Sequence, residues 1–167
     1  MLIKKSKLKY KHFQKRENCI TIVGRLHPSK GHRELLYLFK ECIKERVNLK
    51  LKIIGDEFLK QDLIALAKDL NITENVIFLG NIPNEKMSEI FSSSLIGISS
   101  SIDEAYGLVN IESLREGTPI VCTKTAGSID IVKVGYNGLF IKLDNKTSLS
   151  NSINKILNNW NSYSENA

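Results

Sequence analysis

The feature that most constrains the fold of this chain is a regular alternation of short apolar runs and amphipathic segments, which starts at Cys19. The apolar runs are rich in Ile and Val, and several have no polar face, as is typical of parallel strands buried on both sides. Between them, apolar residues recur at helical spacing. Six strand–helix units with short turns predict right-handed crossovers and one α/β domain with a doubly wound, six-stranded parallel sheet. The predicted strands are residues 19–23, 49–54, 76–79, 95–99, 119–122 and 138–141.

Positive charge is concentrated at the amino terminus. Residues 1–17 hold seven of the 24 basic residues and one of the 18 acidic residues, so the net charge of +6 arises there. We interpret residues 1–17 as a solvated basic leader or interdomain linker, and residues 18–167 as the folded domain. An arm that binds a membrane surface or nucleic acid is the alternative, but no aromatic stacking motif or recognised nucleic-acid fold accompanies the basic residues. We therefore expect no nucleic-acid partner.

The composition excludes several classes of protein. With 42% hydrophobic and 25% charged residues, the chain is typical of globular proteins and unlike disordered or fibrous ones. No apolar run approaches the ~18 residues that cross a bilayer, and the amino terminus lacks the apolar segment of a secretory signal, so we expect a cytoplasmic protein. The cysteines and histidines show no metal-ligand spacing, which predicts reduced core thiols and no metal site. These residues are Cys19, Cys42, Cys122, His12, His27 and His32.

The loop after the first predicted strand has the character of an anion site. It reads VGRLHPSKGH, with Gly24 at the turn, Arg25 at the strand end and Lys30 at the start of the next helix. Two cations beside helix-start amides favour an anion such as a diphosphate, because cations there otherwise oppose the helix dipole. The alternative is a solvated basic loop. The G-x-G-x-x-G fingerprint is absent, which disfavours a nicotinamide oxidoreductase.

A second loop places two carboxylates around a glycine. In the stretch DEAYGLVNIE, Glu104 precedes the helix start at Gly107, and Glu112 lies in the second turn of that helix. Helix-start amides at Gly107, Leu108 and Val109 can bind a phosphate or a hydroxyl, and ionised carboxylates accept hydrogen bonds from sugar hydroxyls. The alternatives are unrelated surface acids or the acid pair of a glycosidase. The neighbouring anion loop favours a phosphorylated leaving group.

A third loop, which also follows the carboxyl end of a predicted strand, contains small residues. In a parallel sheet it lies at the same edge as the first two loops. It reads TKTAGSIDIV over residues 123–132. We predict that Gly127 and Ser128 precede another helix and that Asp130 lies in its first turn, where an acid complements the helix dipole. Mainly structural roles are expected for this loop.

A family resemblance rests on six segments, which are VGRLHPSKG, LKIIGD, VIFLGNIP, DEAYGLVNIESLREGTPIV, TAGSIDIV and GYNGLFI. They resemble the retaining, nucleotide-sugar-dependent glycosyltransferases of family 4, which have the GT-B architecture. The resemblance covers nearly all of the chain from Cys19 to Trp160. Its specific part is the E-x-[FY]-G-x-x-x-x-E element joined to the Gly-Arg…Lys-Gly loop. It implies a Rossmann-like domain that forms the C-terminal, donor-binding half of a GT-B enzyme.

The resemblance implies a role for each candidate site residue. Arg25 and Lys30 would hold the diphosphate of a UDP- or GDP-sugar and neutralise the leaving group, so that no metal or other cofactor is needed. Glu104 would contact the transferred sugar as the third catalytic group, and Glu112 would bind the ribose diol. The other donor-binding residues would be Gly24, Ile82 (backbone to the nucleobase), Gly107, Leu108 and Val109.

The resemblance also has departures and consequences for the whole enzyme. The Gly-x-Gly of the family after the second strand is Gly55-Asp56-Glu57 here, a departure where the family packs its backbone closely. The N-terminal acceptor-binding domain is missing from these 167 residues, so we expect the chain alone to be inactive in sugar transfer. By analogy, the full enzyme would act in bacterial surface-polysaccharide synthesis and associate peripherally with the inner face of the membrane. A non-catalytic nucleotide-sugar-binding module and a GT-B nucleotide-sugar epimerase are the alternatives.

Overall fold

The computed structural model describes residues 12–167, in which six parallel strands form one sheet. The strands are β1 Cys19–Val23, β2 Lys50–Ile54, β3 Val76–Gly80, β4 Ile96–Ser99, β5 Ile120–Thr123 and β6 Gly138–Ile141. Their order across the sheet is β3-β2-β1-β4-β5-β6, and every neighbouring pair is parallel. The predicted doubly wound sheet is confirmed, and each strand bound lies within one residue of its prediction.

Helices cover both faces of this sheet. They are α1 His32–Glu45, α2 Lys60–Asp69, α3 Met87–Ser93, α4 Leu108–Arg115, α5 Ala126–Ile129, α6 Ser148–Asn158 and α7 Trp160–Glu165. Successive residues of a strand point to opposite faces. Ile53 accordingly packs in the main core with α1, α2 and α6, whereas Ile54 packs with Phe91 of α3. Leu114 of α4 packs with Ile120 in a further cluster.

The short helix α5 differs from its prediction. It has four residues and begins at Ala126, where Thr125 and Ser128 form a capping box. Gly127 and Ser128 therefore lie inside the helix instead of before it. Asp130 follows the last helical residue, so the prediction that it complements a helix dipole from the first turn is wrong. The threonine cap starts the helix earlier than the glycine and serine suggested.

Arg16 is a structural residue although it belongs to the predicted leader. It is 8% exposed, and its guanidinium donates to the backbone oxygens of Phe91, Ser94 and Gly117. The same group lies 4.6 Å from the ring centroid of Trp160. The prediction of a solvated leader is thus wrong for Arg16, because buried carbonyl groups and an aromatic face replace water around its charge. The predicted boundary between residues 17 and 18 stays a prediction, and residues 1–11 lie outside the described part.

The cysteines are as predicted. Cys19, Cys42 and Cys122 are buried free thiols. Burial raises the pKa of Cys42 and of Cys122 to about 12, so both are protonated at neutral pH. Within residues 12–167, none of the helices combines the length and apolar character that a membrane crossing demands.

Candidate functional site

The candidate site lies at the carboxyl ends of β1 and β4, adjacent strands from which the chain proceeds toward opposite edges of the sheet. This is the topological switch point, where ligands of doubly wound folds bind. The loops after the two strands are joined directly. Ser100 Oγ donates to Lys30 O at 2.7 Å, and the Ile102 N–H donates to Ser29 O at 2.8 Å. The structure therefore brings together the first two loops that the sequence singled out.

A lysine and a glutamate meet where these loops touch. Lys30 Nζ lies 2.5 Å from Glu104 Oε2, and each side chain is 23% exposed. The hydrogen bond from Lys30, with smaller contributions from the backbone of Gly107 and Tyr106, holds the pKa of Glu104 below its ordinary value. The Glu104 carboxylate is therefore charged, and both side chains are accessible to a ligand. The sequence predicted both as site residues but did not predict their contact.

Arg25 is paired with a different carboxylate. Its Nη1 lies 3.2 Å from Oε1 of Glu57, in the loop after β2, and the Arg25 side chain is 68% exposed. An ion pair this exposed contributes about 0–1 kcal/mol to stability, so the guanidinium stays available to a ligand. Glu57 was not predicted as a site residue. The sequence signal that could have identified it is the departure from glycine at this position.

The helix start after β4 supplies backbone donors. Gly107 has a left-handed conformation with φ of 65°, and α4 begins at Leu108. The N–H groups of Leu108 and Val109 lie in the first turn, where amides have no partner inside the helix. The backbone of Gly107, in contrast, helps to lower the pKa of Glu104. Of the three predicted backbone donors, Gly107 therefore faces a carboxylate of the chain itself.

A close backbone crossing fastens this helix start. A β-carbon on Gly107 would lie 2.1 Å from Gly127 O, and a β-carbon on Gly127 would lie 2.5 Å from Gly107 N. The Gly127 N–H also donates to Glu104 O at 2.7 Å. The third loop thus holds the backbone that carries Glu104. The missing side chain at Gly107 therefore makes room for α5.

Glu112 lines a groove of about 370 Å³ between α3 and α4. Partial burial raises the pKa of this carboxyl above its ordinary value. The groove wall includes Met87, which belongs to an apolar cluster that Val109 and Ile82 also contact. The structure therefore groups the residues predicted to meet the ribose and the base on the α3 side of the site.

A buried histidine lies behind the anion loop. His32, the first residue of α1, is 2% exposed, and its Cε1 lies 4.0 Å from where a β-carbon on Gly24 would be. Within residues 12–167, neither ring nitrogen has a hydrogen-bond partner. Burial, and secondarily the charge of Lys30, lowers the pKa of His32 to about 4. The ring is therefore neutral at neutral pH, a state that the sequence pattern did not predict.

We expect His32 to destabilise the domain in acid. The unfolded chain binds a proton at His32 near pH 6.5, whereas the folded chain binds it near pH 4. As pH falls between these values, the free energy of unfolding falls by up to about 1.4 kcal/mol per pH unit, roughly 3 kcal/mol in all. Urea unfolding of the wild type and of His32→Leu between pH 4 and 7 measures this contribution, which the variant should lack. The exposed His12→Gln is the control. An acid dependence that is unchanged in His32→Leu contradicts the assignment.

The sequence matches a family model described as Glycosyl transferases group 1 over residues 4–167. A glycosyltransferase of Methanocaldococcus jannaschii is 30% identical over 144 residues, which cover 86% of this chain and 37% of the relative. An N-acetylgalactosamine-N,N'-diacetylbacillosaminyl-diphospho-undecaprenol 4-alpha-N-acetylgalactosaminyltransferase of Campylobacter jejuni is 32% identical over 147 residues, 85% of this chain and 38% of the relative. The chain thus spans less than two-fifths of the length of these relatives.

Solved structures share the fold. S. aureus TarM, in a complex that includes UDP, superposes with a TM-score of 0.82 at 21% identity and covers 89% of this chain and 31% of TarM. Anabaena HepE in complex with UDP and glucose gives 0.79 at 22% identity, over 90% of this chain and 42% of HepE. The C-terminal domain of a glycosyl transferase group 1 family protein from Francisella tularensis gives 0.79 at 18% identity, over 89% of this chain and 80% of that domain.

Proposed function

The chain belongs to the group 1 glycosyltransferases and has the fold of their GT-B C-terminal domain, and from this premise we propose that it binds the nucleoside-diphosphate-sugar donor of a retaining sugar transfer. The observation that carries the proposal is the contact between Lys30 and Glu104 at the switch point of the sheet. One group neutralises phosphate and the other accepts hydrogen bonds from sugar hydroxyls, which are adjacent parts of such a donor.

The two cations would bind the diphosphate from different sides. Lys30 approaches from the side of Glu104, and Arg25 from the side of the loop after β2. As the bond to the sugar breaks, negative charge builds on the departing diphosphate, and preorganised cations stabilise that charge most. The proposed site therefore neutralises the leaving group with side chains and needs no divalent metal.

The remaining residues would hold the other parts of the donor. The first-turn amides at Leu108 and Val109 would donate to phosphate or sugar oxygens. Glu112 would accept hydrogen bonds from the ribose diol at the mouth of the α3–α4 groove, and the backbone at Ile82 would contact the base. The presence of UDP in the complexes of TarM and HepE supports the proposal that UDP or another nucleoside diphosphate binds at this edge of the fold.

One relative supports a proposal for the setting of the full enzyme. The name of the Campylobacter relative specifies an acceptor joined to undecaprenol through a diphosphate. We propose that the full enzyme likewise extends a glycan on a lipid-linked acceptor in bacterial surface-polysaccharide synthesis. It would work at the inner face of the membrane, with an N-terminal domain binding the acceptor.

A ligand panel combined with two variants tests donor binding. We expect the domain to bind UDP, GDP or their sugars and not NAD, as measured by calorimetry. Arg25→Ala and Lys30→Ala should each weaken binding of the diphosphate about 10- to 100-fold, because each removes a charge-assisted hydrogen bond worth roughly 1.5–3 kcal/mol. Binding of the free nucleoside should change little. Lys44→Ala, which removes an exposed cation from the far end of α1, is the control. Equal losses for diphosphate and nucleoside would exclude the diphosphate assignment.

A further inference from the structure

Glu57 has a backbone conformation that side-chain-bearing residues rarely adopt. Its φ is 142°, in a region populated essentially by glycine. The preceding glycine of the same loop, Gly55, has a similar φ of 139°. A glutamate in this conformation costs folding free energy that a glycine avoids. A residue that is strained beside a proposed binding site indicates that its side chain has a role there.

The carboxylate of Glu57 is directed at the proposed diphosphate site. Its Oε1 lies 3.2 Å from Nη1 of Arg25. Its Oε2 is buried and has no hydrogen-bond partner in the described part of the chain. The neighbouring acid differs, since Asp56 is paired with Lys60 at 3.2 Å. Of the two acidic residues in the loop after β2, Glu57 is therefore the one whose negative charge lies beside Arg25.

We propose that Glu57 is a specificity-determining residue. Its carboxylate occupies Arg25, so a ligand phosphate must either displace Glu57 from Arg25 or bind Arg25 together with it. The inference rests on the proposed function, in which Arg25 binds the donor diphosphate. A phosphate at Arg25 loses part of its attraction because a like charge lies beside it. A diphosphate can place much of its charge at Lys30 and the first-turn amides of α4, away from Glu57, so it loses less of its affinity. A monophosphate reaches fewer of these groups, so Glu57 raises the preference of the site for diphosphates.

The test measures the affinities for UDP and UMP in variants of the 167-residue chain. Glu57→Gln removes the charge and keeps the size of the side chain, and Glu57→Gly removes both the charge and the strain. By calorimetry, both variants should bind UDP about two- to fivefold more tightly than the wild type, a range set by the strength of exposed ion pairs. Affinity for UMP should rise by a larger factor, so that the ratio of the two dissociation constants narrows.

Two controls test whether the effect on affinity arises from the Glu57–Arg25 ion pair. Asp62→Asn removes an exposed negative charge from the first turn of α2 and should leave the UDP affinity unchanged. In an Arg25→Ala background, adding Glu57→Gln should produce no further gain, because the cation for which the anions compete is gone.

Each contrary result is informative. Weaker UDP binding by both Glu57 variants would make Glu57 a donor ligand and overturn the inference, while leaving the proposed function intact. Unchanged affinity, or a gain that persists without Arg25, would also overturn it. If neither the wild type nor any variant binds UDP, GDP or a nucleotide sugar, the proposed function fails and this inference fails with it.

Discussion

Gly127→Ala is expected to lose a large part of the folding stability of the domain and most of its affinity for a nucleotide sugar. The added methyl group would lie 2.5 Å from Gly107 N and 2.6 Å from Tyr106 N, both of them backbone atoms that cannot rotate away. Relief requires α5 to separate from the start of α4. We expect a cost of about 3 kcal/mol, at the upper end of overpacking effects. The hydrogen bond from Gly127 to Glu104 O would weaken at the same time, which shifts Glu104 relative to Lys30.

The expected loss of stability in Gly127→Ala is opposite in sign to the usual effect of this substitution in a helix. Gly127 lies within a helix, where replacement of glycine by alanine normally stabilises by about 0.5–1 kcal/mol. Denaturant unfolding of Gly127→Ala measures the stability, and calorimetry with UDP measures the site. Gly135→Ala is the matched control, because a β-carbon there has no neighbour within 4 Å and adds only the strain of a φ of 78°. A Gly127→Ala protein as stable as the wild type would show that the two backbones do not approach as described.

The sheet could be predicted closely because its strands are short, continuous apolar runs. A strand such as β1, buried along nearly its whole length, has the same sequence signature whatever lies above or below it. The helix α5 could not be predicted in this way. Its four residues are too few to show a helical period, and its start depends on reciprocal side-chain hydrogen bonds between Thr125 and Ser128. Burial of Arg16 depends in turn on carbonyl groups contributed by segments 75 to 101 residues away.

The candidate site was predicted as loops, and its internal pairings were not. Strand order brings the loops after β1 and β4 together, so Lys30 and Glu104 could be assigned to one edge of the sheet. Their contact joins residues 74 positions apart and depends on how Gly127 holds the second loop. The pairing of Arg25 with Glu57 depends on a backbone angle that a glutamate seldom adopts. A sequence pattern shows neither the position of the loop that carries Glu104 nor the backbone angle of Glu57.

The 167-residue chain is expected to bind a nucleotide sugar and to transfer no measurable sugar from it. The proposed donor contacts all come from loops at one edge of this domain, so binding requires no other part of the enzyme. Affinity should be modest, because closure of a two-domain cleft normally adds contacts to the donor from the opposite side. Transfer requires in addition an acceptor hydroxyl held near the reacting carbon. Such positioning supplies about 7–11 kcal/mol of the barrier reduction, which corresponds to roughly 10⁵- to 10⁸-fold in rate.

The assay compares release of UDP from a UDP-sugar by residues 1–167 alone and in the presence of an acceptor-binding N-terminal domain from a relative, supplied as a separate chain. Alone, the protein should show binding by calorimetry and no transfer to a lipid-linked or free sugar acceptor. The added domain should restore a fraction of the activity, since association rebuilds the cleft but recovers only part of the positioning that a covalent connection provides. Lys30→Ala should abolish the restored activity, which ties it to this donor site. Rapid transfer by residues 1–167 alone would instead require an acceptor hydroxyl to be positioned by this domain, within reach of Glu104.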